Sequence, residues 1–261
     1  MIWIGLPAYN EEYRIKGLLC DIDKSLSSNP GGYTVVVYDD GSGDGTISQI
    51  SAARAGGVKV DLVEGGVNKG LGHALSCLIE HCGRNSSAGD IIIIMDADAT
   101  HNPEHIHRMI GYIRDGFDVV IASRYTHYSR IRGLSWHRRM MSKCANLIFK
   151  ILFPIRGVAD YSCAYRAYTA QILKLAADVY GRDLIEERGF ACMAEFLVKL
   201  RRLEIIACEV PLILRYDKKA GASKMNVPAT VIRTFKMISK FLFMPAIRSE
   251  ELEKLKEKYG V

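Results

Sequence analysis

Residues 91–98 read Ile-Ile-Ile-Ile-Met-Asp-Ala-Asp. A run with no polar residue among its first five positions does not suit a strand with one wet face. It suits a strand covered on both faces, the habit of parallel sheets. The two aspartates then fall just past the strand's carboxyl end, where open α/β sheets bind their ligands. Working outward, the apolar runs at 2–6, 33–38, 58–63 and 117–122 read as further strands. The stretches 11–27, 46–55, 70–82 and 103–115 read as helices between them, with Pro103 suited to a helix's first turn. This β-α-β-α order predicts an α/β fold with a mostly parallel sheet.

The second half changes character. Met140, Met141, Cys144, Leu147, Ile148, Ile151 and Leu152 fall on one helical face, flanked by Arg138, Arg139, Lys143 and Lys150. A second stripe runs through Val231, Ile232, Phe235, Ile238 and Leu242, with Arg233, Lys236 and Lys240 elsewhere on the wheel. Such stripes face either a core or a bilayer interface. Residues 249–259 read as a short charged helix with Ser249 as its cap.

A chain of 261 residues holds about one to two domains and needs no disulfide or metal staple. Its 49% hydrophobic and 25% charged residues exclude a disordered or low-complexity chain. A formal charge of +6 is too small to imply nucleic acid, and suits an anionic small molecule or an anionic membrane surface. The seven cysteines contain no CxxC pair, so reduced thiols are expected rather than a zinc site. The opening MIWIGLPAYNEE lacks the basic start of a signal peptide, and no run approaches the ~20 apolar residues of a spanning helix. The expectation is a soluble or peripheral chain.

Three strand ends carry polar chemistry. The first runs into Pro7-Ala8-Tyr9-Asn10-Glu11-Glu12, the second into Asp39-Asp40-Gly41-Ser42-Gly43-Asp44-Gly45, and the fourth into Asp96-Ala97-Asp98. Like charges gathered at one sheet edge oppose compaction, so a cation is expected there. Asp96 and Asp98 suit a hard divalent ion, Mg²⁺ or Mn²⁺, which takes carboxylate oxygens and leaves positions for water and phosphate. The GSGDG loop lacks the G-x-G-x-x-G spacing, and Asn68-Lys69-Gly70-Leu71-Gly72 lacks the Walker spacing. The first reads as a turn that lets Asp39 and Asp40 face a base and ribose. The second places Lys69 within reach of a phosphate or an acidic neighbour. His101 and His105 read as helix-entry residues, His73, Cys77 and His81 as a core boundary, and Glu195 as either a pocket-ordering carboxylate or a plain helix residue.

PAYNEE, DDGSGDGT, NKGLGHAL, MDADATHNPE, ASRY, the stretch 138–146, DYSCAYR and VPLILRYDKKAGASKM occur in one order. In that order the chain, over residues 1 to about 225, resembles family 2 glycosyltransferases of the GT-A fold. Within them it is most similar to dolichyl-phosphate mannosyltransferases and related polyprenyl-phosphate glycosyltransferases. The resemblance implies a GT-A (Rossmann-like) catalytic domain over 1–226, followed by C-terminal amphipathic helices over 227–261 that do not form a separate domain.

The resemblance also implies roles. Pro7, Ala8, Tyr9, Glu11, Tyr38, Asp39, Asp40, Lys69, Asp96 and Ala97 would hold the nucleotide sugar, with Lys218 and Lys224 closing over its diphosphate. Asp96, Asp98 and Thr100 would hold the metal. Arg124, Arg138 and Ser142 would cradle a lipid phosphate, with Asp98, Arg124 and Arg138 carrying catalysis. Thr100 stands where many bacterial relatives have Gln, and DADATH resembles the DADLSH of eukaryotic-type mannosyltransferases. That favours GDP-mannose as donor over UDP-glucose. Lys218 replaces a usual Arg and loses its bidentate fork, and Cys163 replaces a usual Gly beside the sugar pocket. The implied setting is the cytoplasmic face of a membrane, and some short relatives need a small membrane-anchoring partner.

A phosphate acceptor is mostly dianionic at neutral pH and needs no general base. The expected reaction is a single inverting displacement at the anomeric carbon. Other readings remain at this point. A sugar or protein acceptor would need a base. A non-catalytic module would bind donor without turnover. Asp96-Ala97-Asp98-Ala99-Thr100 also fits the nucleophile motif of haloacid-dehalogenase-type phosphatases.

Overall fold

The computed structural model describes residues 1–216 and 227–261. The main sheet has seven strands: β1 (Ile2–Ala8), β2 (Tyr33–Asp39), β3 (Val60–Glu64), β4 (Ile91–Ile94), β5 (Val119–Ser123), β7 (Arg166–Thr169) and β8 (Ala207–Pro211). Their order is β3-β2-β1-β4-β7-β5-β8. Every neighbouring pair is parallel except the two made by β7, which runs antiparallel between β4 and β5. Ile4 pairs with both Val35 and Ile93, and Ala167 with both Ile93 and Val120, so the apolar runs meet in one layer. The four isoleucines of β4 are at most 4% exposed, which accounts for the unbroken apolar run.

Helices α1 (Ile15–Leu26), α2 (Thr46–Ala55), α3 (Leu71–Asn85) and α4 (His105–Arg114) connect the first five strands. The chain continues through β6 (Arg130–Arg132), α5 (Trp136–Leu152), α6 (Ala170–Tyr180), α7 (Cys192–Arg201), β9 (Ile213–Arg215), α8 (Val227–Leu242) and α9 (Ser249–Tyr259). A small parallel ribbon joins β6 to β9. All seven cysteines are free thiols. Among the described residues, no helix is long and apolar enough to cross a membrane.

One detail corrects the sequence reading, and another bears on the alternatives it left open. Arg248, not Ser249, caps α9: the Leu252 N–H bonds to the Arg248 carbonyl, and Ser249 is already helical. The apolar faces of α5 and α8 also do not simply join the core. In α5 only Asn146 and Phe149 are buried, while Met140, Met141, Leu147 and Ile151 are 44–68% exposed. In α8 the stripe divides: Met237, Ile238 and Phe241 are buried, and Val231, Ile232, Phe235 and Leu242 are exposed. Phe241 meets Phe153 edge-to-face at 6.0 Å, so α8 seats beside the end of α5.

α8 is also tied to the domain by charge. Lys199 of α7 is fully buried and bonds to Glu195 at 2.8 Å and Glu186 at 3.1 Å. Lys240 of α8 reaches the same Glu186. Glu195 in turn accepts the backbone N–H groups of Glu186 and Glu187, at 3.0 and 2.7 Å, which makes it the ordering carboxylate of that loop. The ordered loop lies against the start of α3, where Gly70 (φ +96°) and Gly72 leave room for the carbonyls of Arg188 and Glu187 that any side chain would strike. Removing one member of a buried pair strands the other charge. Glu195→Ala should therefore lower unfolding free energy by about 3–5 kcal/mol in urea titration. Adding Lys199→Met should recover part of that loss, and a variant as stable as the parent would refute the network's role.

Candidate functional site

The carboxyl ends of β2, β1 and β4 lie side by side, at about 4.8 Å per strand, so the loops that follow them form one polar edge. Those loops are knitted together. The Asp40 N–H bonds to the Ala8 carbonyl, the Glu11 N–H to Thr46 Oγ1 at 2.8 Å, and the Gly43 N–H to Asn10 Oδ1 at 2.9 Å. Pro7, Tyr9 and Glu11 are half-buried here, and Ala8 and Tyr38 are buried. Burial, with Cys77 beside the hydroxyl, pushes the Tyr38 phenol up to about 12, so it stays neutral.

Asp39 and Asp40 are more buried than the expectation of a base-facing pair required, at 1% and 3% exposure. Asp39 accepts the N–H and hydroxyl of Ser42, at 2.9 and 2.5 Å. Asp40 accepts the N–H groups of Lys69 and Gly70, at 2.9 and 2.8 Å. Asp40 thus fastens the 68–70 turn to the end of β2, and the Lys69 side chain extends outward from it. Lys69 lines a cavity of 480 Å³ with Asn68, Gly70, His73, Arg188 and Arg233, a lining without a carboxylate.

At the end of β4, Asp96 and Asp98 are held differently. The Asp96 N–H bonds to Nδ1 of His101 at 3.2 Å, and His101 stacks on Tyr165 at 5.0 Å between centroids. His101 thus ties the segment before α4 to the end of β4. Asp98 accepts both the N–H and the hydroxyl of Thr100, at 3.1 and 2.7 Å. Thr100 therefore orients Asp98 and already donates its hydroxyl proton to it. Between them Ala99 takes φ +59°, a left-handed conformation that the two bonds across it hold in place. Ala97 is buried against the core.

A second group of side chains forms at the end of β5. Arg124 donates from Nε and Nη2 to the two oxygens of Asp160, at 2.8 and 2.6 Å, and from Nη2 to Ser162 at 2.6 Å. Burial opposes both charges, but each outweighs it for the other: Arg124 is raised and Asp160 held below the usual carboxylate range. Tyr125 Oη lies 2.7 Å from Ser142 Oγ, and Asn146 Nδ2 donates to Ser162 Oγ at 3.1 Å. These groups border a cavity of 440 Å³ between α5 and the β5–β6 connection. Arg124, Ser142, Arg139, Lys143 and Lys150 line it, and Arg138 does not. The structure thus brings Arg124 and Ser142 together as expected but sets Arg138 off that cavity. Lys218 and Lys224 lie outside the described residues.

Asp160, Tyr125 and Asn146 were missed as site residues. Asp160 stood in a quoted motif, but its partner lies 36 residues earlier, a pairing only the fold creates. Arg139, Ser142, Lys143, Asn146 and Lys150 are spaced as one helical face, which was a legible signal.

A family model described as Glycosyl transferase family 2 matches residues 3–174. A dolichol-phosphate mannosyltransferase of Pyrococcus furiosus is 29% identical over 222 residues, 85% of this chain and 58% of that protein. An undecaprenyl-phosphate 4-deoxy-4-formamido-L-arabinose transferase of Aeromonas hydrophila is 34% identical over 176 residues, covering 66% of this chain and 50% of that one. The chain thus spans between half and three fifths of the length of these two relatives. Glucosyl-3-phosphoglycerate synthase of Mycobacterium tuberculosis, solved with Mn²⁺, UDP and phosphoglyceric acid, superposes with a TM-score of 0.66 at 21% identity. That likeness covers 94% of this chain and 79% of the synthase, and speaks to the fold.

The Arg124–Asp160 pair makes a pH prediction. Asp160 is depressed in the folded state, so its contribution is present above the unfolded carboxylate range and lost as pH falls through the lower folded value. Asp160→Asn should cost about 3–5 kcal/mol at pH 7. The gap to the parent should narrow below about pH 4, near the ordinary carboxylate value. Urea titrations across pH read both, and a gap constant with pH would refute the charged pair.

Proposed function

The chain belongs to glycosyl transferase family 2 and has the GT-A fold, and from that premise we propose that it transfers a hexose, preferably mannose, from a nucleoside-diphosphate donor to a polyprenyl phosphate. The supporting observation is the cavity at the end of β5. Among the described residues its lining holds hydroxyls, an amide and four cations, and no carboxylate that would serve as a general base. An acceptor that brings its own negative charge suits such a lining, whereas a sugar hydroxyl does not. The names of the Pyrococcus and Aeromonas relatives, each referring to a polyprenyl-type phosphate, point the same way.

The donor falls to the other half of the edge. Pro7, Ala8, Tyr9, Glu11 and Tyr38 shape its floor, Asp39 and Asp40 fix the loops around it, and Lys69 faces its phosphates. Asp96 and Asp98 fit Mg²⁺ or Mn²⁺, because such ions accept one or two carboxylates and complete their shell with phosphate and water. When bound, the metal supplies charge neutralisation for the departing diphosphate. Thr100 keeps the Asp98 carboxylate turned for that task, and His101 fixes the backbone of Asp96. The acceptor phosphate attacks the anomeric carbon from the face opposite the leaving group, with inversion and without a protein base.

A polyprenyl phosphate presents its head group at a bilayer surface. The exposed apolar side chains of α5 and α8 include Trp136 at 66% and Phe243, just past α8, at 84%. With Lys143, Lys150, Lys236 and Arg233 on the same two helices, they suit a peripheral position at an anionic leaflet, the cytoplasmic one.

The test is transfer itself. The protein, Mg²⁺ or Mn²⁺ and detergent-dispersed polyprenyl phosphate are incubated with GDP-mannose or UDP-glucose in parallel, and the lipid is read by mass spectrometry. The expected product is a hexosyl-phosphoryl lipid formed from GDP-mannose. Asp98→Asn should abolish turnover while circular dichroism stays unchanged, and normal turnover in that variant refutes the metal assignment. Donor binding without lipid product refutes the acceptor.

A further inference from the structure

Helix α8 lies beyond the stretch matched by the family model, and it has two unlike faces. Val231, Ile232, Phe235 and Leu242 are exposed, whereas Met237 and Phe241 are seated on the domain. Arg233 and Lys240 share the seated face, four residues before Met237 and three after it. Each reaches an acid of one short loop, residues 186–189, just before α7. Lys240 bonds to Glu186, and Arg233 Nη1 lies 3.5 Å from Glu187 Oε1. The same Glu187 oxygen accepts the Gly189 N–H at 2.9 Å, so the loop curls around the carboxylate that α8 holds.

The other side of that loop presses on the turn that carries Lys69. Gly72 donates its N–H to the Arg188 carbonyl at 3.1 Å. A Cβ on Gly72 would overlap the Glu187 carbonyl oxygen, and one on Gly70 would stand 2.6 Å from that of Arg188. Backbone therefore meets backbone, with no side chain between them to absorb a displacement. Lys69 is the next residue along from Gly70, and Asp40 holds both amides, at 2.9 and 2.8 Å. The contacts from α8 to Lys69 are continuous: two charge pairs, a curled loop, backbone on backbone, and a turn pinned to β2. Lys199 and Glu195 stiffen the middle of this chain from within the core.

Resting on the donor reading above, we infer that Glu186 and Glu187 are positioning residues for the donor half of the site, through which the seat of α8 sets the place of the Lys69 turn. They act through that turn and not by touching the donor. A seated α8 and a bound donor favour the same placement of the loop, so each stabilises the other. The bilayer proposed for the exposed face of α8 would then act on the donor as well as on the acceptor.

The full chain is compared with Arg233→Ala/Lys240→Ala by amide hydrogen exchange, and GDP with Mg²⁺ is the donor-site probe, its Kd read by calorimetry. Exchange reports local opening and needs no turnover. The N–H groups of Lys69, Gly70 and Gly72 are the readout, because Asp40 and Arg188 accept them. Both cations of α8 are 52% exposed, so the expected effect is modest. Exchange at 69–72 and the Kd of GDP should each rise about threefold, while β4 keeps its parental exchange. The charge-keeping Arg233→Lys/Lys240→Arg should restore both. Lys254→Ala, which removes a cation from α9, should change neither. Arg233 borders the Lys69 cavity and Lys240 does not. Lys240→Ala alone should therefore give the same pattern more weakly; if only Arg233→Ala weakens GDP, Arg233 is a direct contact and the inference fails. In the parent, GDP should slow exchange at 186–189 and along 233–241, as reciprocity requires. Unchanged exchange at 69–72 in the double variant refutes the inference, and so does bound GDP that leaves those two segments as they were. If β4 exchange rises as well, the double variant has loosened the whole domain, and Lys240→Ala carries the test on the same readout. A chain that binds no GDP sinks the donor reading, while exchange at 69–72 still decides the coupling to α8.

Discussion

The loops at the carboxyl edge of this sheet are held by buried carboxylates that accept backbone N–H groups. Asp40 takes two from the 69–70 turn, Asp98 one from Thr100, Asp160 those of Arg124 and Cys163, Glu195 those of Glu186 and Glu187, and Glu209 those of Ala159 and Asp160. Each bond pairs a full negative charge with an amide dipole and is worth about 1.5–3 kcal/mol. The edge is ordered by electrostatics rather than by apolar packing, because loops that must remain open to ligand have little apolar surface to bury. The like-charge problem posed by so many acidic residues is thereby eased within the protein, without waiting for a bound cation.

The antiparallel strand β7 explains why the edge has two halves. It enters between β4 and β5, and the chain leading into it carries Asp160, Ser162 and Cys163 across the ends of both. On the β4 side His101 lies 3.8 Å from Asp96, a partner charged only when protonated. On the β5 side Asp160 is neutralised outright. One half thus carries the two aspartates of the β4 end, and the other presents the cations of α5. Under the proposed function donor diphosphate and acceptor phosphate are both anions, and this difference between neighbouring strand ends would help two of them to approach.

Much of this was legible in the sequence, for reasons that particular elements make plain. The strands at 33–39 and 91–94 and the helix at 46–55 emerge within a residue because β-branched runs and glycine punctuation agree there. The strand β7 was not legible. It has four residues and begins with Arg166, which is fully buried and donates to the carbonyls of Tyr161 and Met193. No periodicity argument assigns a sheet centre to an arginine. The site divides the same way. Motif residues were found where they stand in sequence, whereas Arg124's commitment to Asp160 depends on a contact the chain order conceals. Asp39 and Asp40 read as ligand-facing because acidic strand ends often are; that they also accept the amides of Ser42, Lys69 and Gly70, and are buried by those loops, is a feature of the fold.

Helix α5 shows how one element serves three neighbours at once. Phe149 faces the core, buried Asn146 sits between core and cavity, Arg139, Ser142, Lys143 and Lys150 line the cavity, and Met140, Met141 and Ile151 are exposed, with Leu147 at the cavity's rim. A helix advances about 100° per residue, so these faces are set by sequence alone once Phe149 is seated. Phe149 stacks on Tyr161 at 5.7 Å, and the Tyr161 hydroxyl donates to the Phe153 carbonyl at 2.8 Å, which fixes the helix about its own axis. The core contact therefore determines at what angle the cavity's cations stand to the exposed apolar row. If that row enters a bilayer interface, the depth of the cavity row follows from the same rotation. Cavity and membrane face then cannot be tuned independently: a change that rolls α5 in its seat moves both, whereas a change on α8 alters the anchoring while the cavity row keeps its place.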